Sequence, residues 1–129
     1  MEKEIVVFDV DEKQCKELCV MLEERHYRAT PMHSLPNLES YLQGGACLVV
    51  IVDLNTTSID NRVIRKLTTK NPGVYFLGLT RYRFNPELKE SICYHIYACL
   101  TKPIDPDELI YWLRCIYEDA TGEKYRPVA

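Results

Sequence analysis

Four polar groups each stand directly after an apolar run: Asp9-Val10-Asp11 after IVVF, Asp53-Leu54-Asn55 after LVVIV, Thr80 after VYFLGL, and Thr101-Lys102-Pro103 after IYACL. Two carboxylates, a hydroxyl and an ammonium brought together suit an anionic phosphoryl group. A carboxylate can carry the group, the hydroxyl and the lysine can bind its oxygens, and the acids can hold a divalent cation. One polar residue after a strand means little; the whole set in this order is informative.

The elements that must position these residues can be read from the same runs. They are rich in β-branched and aromatic residues and do not alternate, as expected of parallel strands buried on both faces. A weaker strand, Tyr27 to Met32, lies between the first two. Cys15, Leu18, Cys19 and Leu22 repeat at helical spacing, as do Val63, Ile64 and Leu67. Asp11 followed by Gln14 has the pattern of a capping box, and Asn85-Pro86 and Asp105-Pro106 each set a cap before a first-turn proline. The last helix buries Leu109, Ile110, Leu113, Ile116 and Tyr117 and fades at Asp119 to Gly122. Residues 1–120 are expected to form one domain and 121–129 a tail or the start of a linker.

Five strands alternating with five helices give an α/β fold. Right-handed crossovers then favour a doubly wound, flavodoxin-like parallel sheet of order 2-1-3-4-5 with helices on both faces. In such sheets the ligand site lies beyond the carboxyl ends of the strands, which predicts one shallow cleft holding Asp9, Asp53, Thr80 and Lys102.

Composition agrees with this reading. The chain has 129 residues, 47% of them hydrophobic, enough for one domain with an ordinary core. Its 16 basic and 19 acidic residues leave a charge of −3, which argues against a nucleic-acid-binding face. Arg62, Arg65, Lys66 and Lys70 read as the solvated side of a helix. No apolar run is long enough to span a membrane and MEKEIVVF is no signal peptide, so a soluble, cytoplasmic protein is expected. The six cysteines contain no CxxC pair and sit in apolar settings, which reads as packing in a reducing compartment.

From Glu4 to about Glu118 the sequence resembles the response-regulator receiver domains of two-component signalling, the chemotaxis regulators among them. VVIVDLNTTSIDN resembles the family's phosphoacceptor segment and implies Asp53 as the phosphorylated residue. FLGLT implies Thr80 as the switch hydroxyl, and CLTKPID implies Lys102 as the phosphoryl-binding lysine, with a cis peptide before Pro103. The resemblance further implies magnesium on Asp9, Asp53 and the Asn55 backbone carbonyl. It implies a histidine kinase as donor, and an output domain or protein partner at the face of the fourth helix, fifth strand and last helix. A monomer or weak homodimer follows, acting as a signalling phosphoacceptor and not as an enzyme.

Three positions depart from that family. Val10 stands where a second acid usually binds magnesium directly, so metal binding is expected to be weakened, with Asp11 either swinging in or capping its helix. Arg81 follows the switch threonine where a small residue is usual. Cys99 replaces the usual switch aromatic, and Tyr97, two residues earlier and expected on the same strand face, is a candidate substitute. These departures keep a second reading open, a degenerate receiver acting as a phosphorylation-independent interaction module. A third follows from VVFDVDE, which resembles the DxD motif of haloacid-dehalogenase-type phosphatases, with Asp9 as nucleophile and Asp11 as general acid.

Overall fold

The computed structural model describes residues 4–57, 59–81 and 95–121. Its apolar runs form strands β1 (Glu4–Phe8), β2 (Ala29–Met32), β3 (Cys47–Asp53), β4 (Tyr75–Thr80) and β5 (Ala98–Thr101). All pair in parallel, in the order β2-β1-β3-β4-β5. The central strand β3 is buried along its whole length, which is why its sequence, CLVVIVD, shows no polar alternation. The expected fold class and strand order are those found.

Helices cover both faces. On one, Cys15, Cys19 and Leu22 of α1 (Glu12–Glu24) and Leu109, Leu113 and Ile116 of α4 (Pro106–Thr121) pack with Ile5, Val7, Val49 and Ile51. On the other, Leu38 and Leu42 of α2 (Leu35–Gln43) and Ile64 and Leu67 of α3 (Asn61–Lys70) pack with Val6, Phe8, Val50 and Val52. Neighbours along β1 and β3 thus serve opposite cores, so Ile5 to Phe8 and Val49 to Val52 are apolar without a break. Each fully buried Val, Leu or Ile contributes roughly 1.5–3 kcal/mol. Arg62, Arg65, Lys66 and Lys70 lie on the exposed side of α3, as its period requires.

Caps set where the helices begin. The side chains of Asp11, Ser34 and Asp60 accept from the backbone N–H groups of Gln14, Asn37 and Val63, and Asp105 Oδ1 accepts from Asp107 N at 2.9 Å. The end of α1 turns through His26, a non-glycine residue at φ 70°, with His26 N and Tyr27 N bonding back to Glu23 and Leu22. The helix expected after Asn85-Pro86 lies outside the described residues, as do Cys93 and residues 122–129 of the expected tail. Cys15, Cys19 and Cys47 are buried and Cys99 and Cys115 half-buried, all as free thiols. Among the described residues no helix is long and apolar enough to cross a membrane.

Candidate functional site

Register brings the polar groups together. β1 and β3 end side by side, since Phe8 pairs with Val52, and Asp53 of β3 pairs with Leu79 of β4. Thr80 in turn pairs with Thr101, and Lys102 N donates to the Thr80 carbonyl at 2.7 Å. Asp9, Asp53, Thr80 and Lys102 therefore stand along one edge of the sheet. Asp9, Asp53 and Thr80 are buried, Asp53 completely. The Lys102-Pro103 peptide is cis, as expected.

Asp53 uses its oxygens differently. Oδ1 accepts the backbone N–H groups of Asn55 (2.8 Å) and Thr56 (2.9 Å), which clamp the carboxylate to the turn after β3. Oδ2 faces the cleft, where it is ion-paired with the Lys102 ammonium and accepts from Gln14 Nε2 at 2.7 Å. Asp9 is held in the same way. Its Oδ1 accepts Asp11 N (2.9 Å) and the Thr56 hydroxyl (2.6 Å), and its Oδ2 accepts Gln14 Nε2 at 2.5 Å. His33 Nδ1 lies 2.9 Å from the Asp9 carbonyl oxygen and ties this strand end to the loop after β2.

Gln14 and Thr56 are the site residues that sequence reasoning missed. Gln14 fits a capping box, but its side chain does not complete one. Asp11 caps α1, with Oδ1 3.0 Å from Gln14 N, while the Gln14 amide turns into the cleft between the two acids. The signal was the missing acid at Val10: two buried carboxylates need donors, and Gln14 lies in the first turn beside them.

The departing positions have plain structural roles. Val10 is 51% exposed, unlike the buried Asp9 beside it. The Arg81 backbone N–H donates to Asn55 Oδ1 at 2.8 Å, which links the ends of β3 and β4. Cys99 lies beside Gly78 in the α2/α3 core, where a side chain on Gly78 would put its Cβ 2.8 Å from Cys99 Sγ. Burial pushes the Cys99 thiol up.

Tyr97 does not share a face with Cys99. It precedes β5, where strand alternation does not yet apply, and its ring packs edge-on against Tyr75 and Trp112 on the α1/α4 side. Its hydroxyl donates to Asp119 Oδ2 at 2.7 Å. Burial and that carboxylate raise the phenol's pKa.

The acids suit a magnesium ion in one respect. One nitrogen contacts Oδ2 of both carboxylates, so these oxygens converge on a common point, and magnesium commonly takes one or two carboxylates and keeps several waters. Among the described residues no group of three or more His, Cys, Asp or Glu side chains could enclose a metal. Asp9 and Asp53 are the two carboxylates whose oxygens converge in the cleft, while Asp11 caps its helix.

Solved structures match the fold of the chain. A signal receiver domain of an HD-domain-containing protein from Pseudomonas fluorescens superposes with a TM-score of 0.82 at 21% identity, covering 95% of this chain and 99% of that one. A CheY-like response-regulator receiver domain from Methanospirillum hungatei gives 0.83 at 16% identity, over 96% and 100%. The chemotaxis response regulator CheY4 of Vibrio cholerae gives 0.74 at 15% identity, over 90% and 99%. The chain has the response-regulator receiver fold. No sequence-family model matches it, and no curated protein matches it in sequence.

Proposed function

We propose that this receiver domain accepts a phosphoryl group on Asp53 from a histidine kinase and thereby switches a partner or output domain. The observation that carries the reading is the division of labour at Asp53. Two backbone N–H groups fix Oδ1, while Oδ2 alone faces the cleft beside Lys102. In the transfer, Oδ2 attacks phosphorus, the phosphorus–nitrogen bond of the donor phosphohistidine breaks, and the histidine nitrogen leaves with the electron pair. An acyl phosphate remains on Asp53. Lys102 is placed to follow the new charge, and Thr80, on the adjacent strand end, supplies a hydroxyl to the same edge.

Magnesium, when bound by Asp9, Asp53 and the Asn55 carbonyl, would neutralise charge around the phosphoryl oxygens. The signal would leave through β5 and α4, because Lys102 continues β5 and Tyr97, just before it, packs on Trp112 of α4. The Pseudomonas domain, part of an HD-domain-containing protein, supports an output carried on the same or a partner chain.

The test is beryllofluoride or acetyl phosphate with magnesium. The wild type should acquire the mimic or the phosphoryl group and Asp53→Asn should not; equal responses overturn the reading. A phosphorylation-independent interaction module is the second reading, favoured by the exposed Val10 and by the amide between the acids. The phosphatase reading needs Asp11 as a general acid, but that carboxylate caps α1.

A further inference from the structure

We propose that Gln14 is an internal plug of the acidic cleft: its side-chain amide holds the point between Asp9 and Asp53 that a divalent cation needs, and must leave before the cation binds. This deepens the receiver reading by assigning regulation to the same site, and it rests on that reading only for its phosphoryl-mimic arm.

The geometry is that of a substitute cation. Nε2 lies 2.5 Å from Asp9 Oδ2 and 2.7 Å from Asp53 Oδ2, so the amide's two N–H donors serve one carboxylate each. Oε1 points the other way, 3.4 Å from Lys102 Nζ. Reversing the amide would set a carbonyl oxygen against two carboxylates, so its neighbours fix its orientation. The amide thereby donates to the inward oxygens of both buried acids.

Charge explains why the plug can be displaced. Asp9 and Asp53 bring two negative charges and Lys102 one positive, and the amide adds donors without charge. One negative charge is left over at a buried site, which a divalent cation answers and an amide does not. Val10 supplies no side-chain oxygen, so a cation arriving here competes with Gln14 and holds fewer carboxylate ligands than two adjacent acids would offer.

The side chain also has somewhere to go. A cavity of about 280 Å³ opens beside the cleft, lined by Asp9, Gln14, Glu17 and Lys102 together with apolar residues such as Leu18 and Met21. A rotation of Gln14 into it would release both Oδ2 atoms from the amide and leave Asp53 Oδ2 to Lys102 alone.

Calorimetric titration with magnesium chloride alone, no phosphodonor present, tests the plug on wild type, Gln14→Ala, Gln14→Met and Asp53→Asn. Gln14→Ala and Gln14→Met should bind magnesium at least ten-fold more tightly than wild type, and Asp53→Asn should lose binding. Melting of the two Gln14 variants should start lower than wild type in chelator and rise further on adding magnesium. Magnesium affinity equal to or weaker than wild type in both variants overturns the plug. So does a failure of both to fold even in saturating magnesium, since a displaceable group cannot be indispensable. Beryllofluoride added afterwards separates the two readings. Tighter magnesium without any Asp53-dependent mimic binding sinks the receiver chemistry and leaves the plug. Mimic binding at the same magnesium concentration in wild type and variants sinks the plug and leaves the chemistry.

Discussion

The Lys102 ammonium, just past β5, is ion-paired with the carboxylate of Asp53, at the end of β3, across the end of the intervening strand β4. The Lys102 side chain is 13% exposed and that of Asp53 is not exposed at all, so neither charge is answered by bulk water. Asp9 adds a second buried carboxylate to the same cleft. The arrangement is therefore unbalanced, with one cation serving two anions, and the two partners should not be equivalent to mutation.

Removing the cation leaves two acids facing each other. Lys102→Met is expected to destabilise the fold by about 3 kcal/mol, the lower end of what stranding a buried charge costs, because backbone N–H groups still hold Asp53. Removing one anion does the reverse. Asp53→Asn leaves one buried anion, Asp9, to one cation, Lys102, and should unfold no earlier than wild type. Urea midpoints of the two variants check this, and a midpoint for Asp53→Asn as low as that of Lys102→Met would contradict it.

Gly78 is needed for the space around Cys99. An alanine Cβ there would meet Cys99 Sγ at 2.8 Å and Leu54 Cδ1 at 3.0 Å, both inside the core. Gly78→Ala should cost about 1–3 kcal/mol, the usual range for overpacking. Cys99→Ala removes the nearer obstacle, so the double variant should recover part of that cost. Denaturation of the four members of this cycle gives the coupling, and strict additivity would mean that the clash is relieved elsewhere.

How much of this was legible beforehand depended on whether a residue's role was set by its own strand or by another element. Asp9, Asp53, Thr80 and Lys102 follow apolar runs, and the topological rule for parallel sheets puts all strand ends at one edge; the strand order and the cleft followed. Gln14 was not legible, because a glutamine three residues after an Asp cap satisfies the capping pattern equally well, and only the burial of Asp9 and Asp53 draws its amide inward. Tyr97 was assigned the wrong face for a related reason. The period-two rule presumes a strand, and β5 starts one residue later, at Ala98. Nor could the pattern show that Gly78 and Cys99 would be register partners, which sets how much room Cys99 has.

The thiols of α1 give the fold a pH dependence on its alkaline side. Burial first, and then the neighbouring Cys15 thiol, push Cys19 up to about 12; burial and Asp9 raise Cys15. In the unfolded chain both ionise near 9, while in the fold they stay protonated. The unfolded state therefore holds fewer protons, and stability is fully present below about pH 8.5 and falls as pH rises toward 12. Tyr41 and Tyr97, also raised, extend the fall in the same direction. Unfolding free energy measured from pH 8 to 11 should decline, and Cys19→Ala should decline less steeply. A slope unchanged in that variant would assign the effect to Cys15 and the phenols.

Trp112 offers an optical report on the proposed switch, since it is the chain's one tryptophan and its ring lies 6.0 Å from that of Tyr97, edge-on. Tyr97 is anchored twice, by Asp119 through its hydroxyl and by Trp112 through its ring, and it immediately precedes the strand that carries Lys102. Movement of Lys102 toward a phosphoryl group on Asp53 would pull on β5 and alter this contact. Magnesium with beryllofluoride should therefore change Trp112 fluorescence in the wild type and leave it unchanged in Asp53→Asn. Tyr97→Phe keeps the ring but loses the hydroxyl's bond to Asp119, which should cost about 1 kcal/mol in stability and preserve the optical change. Tyr97→Ala removes the ring and should abolish it. A fluorescence change that survives Tyr97→Ala would show that the signal reaches α4 by another path.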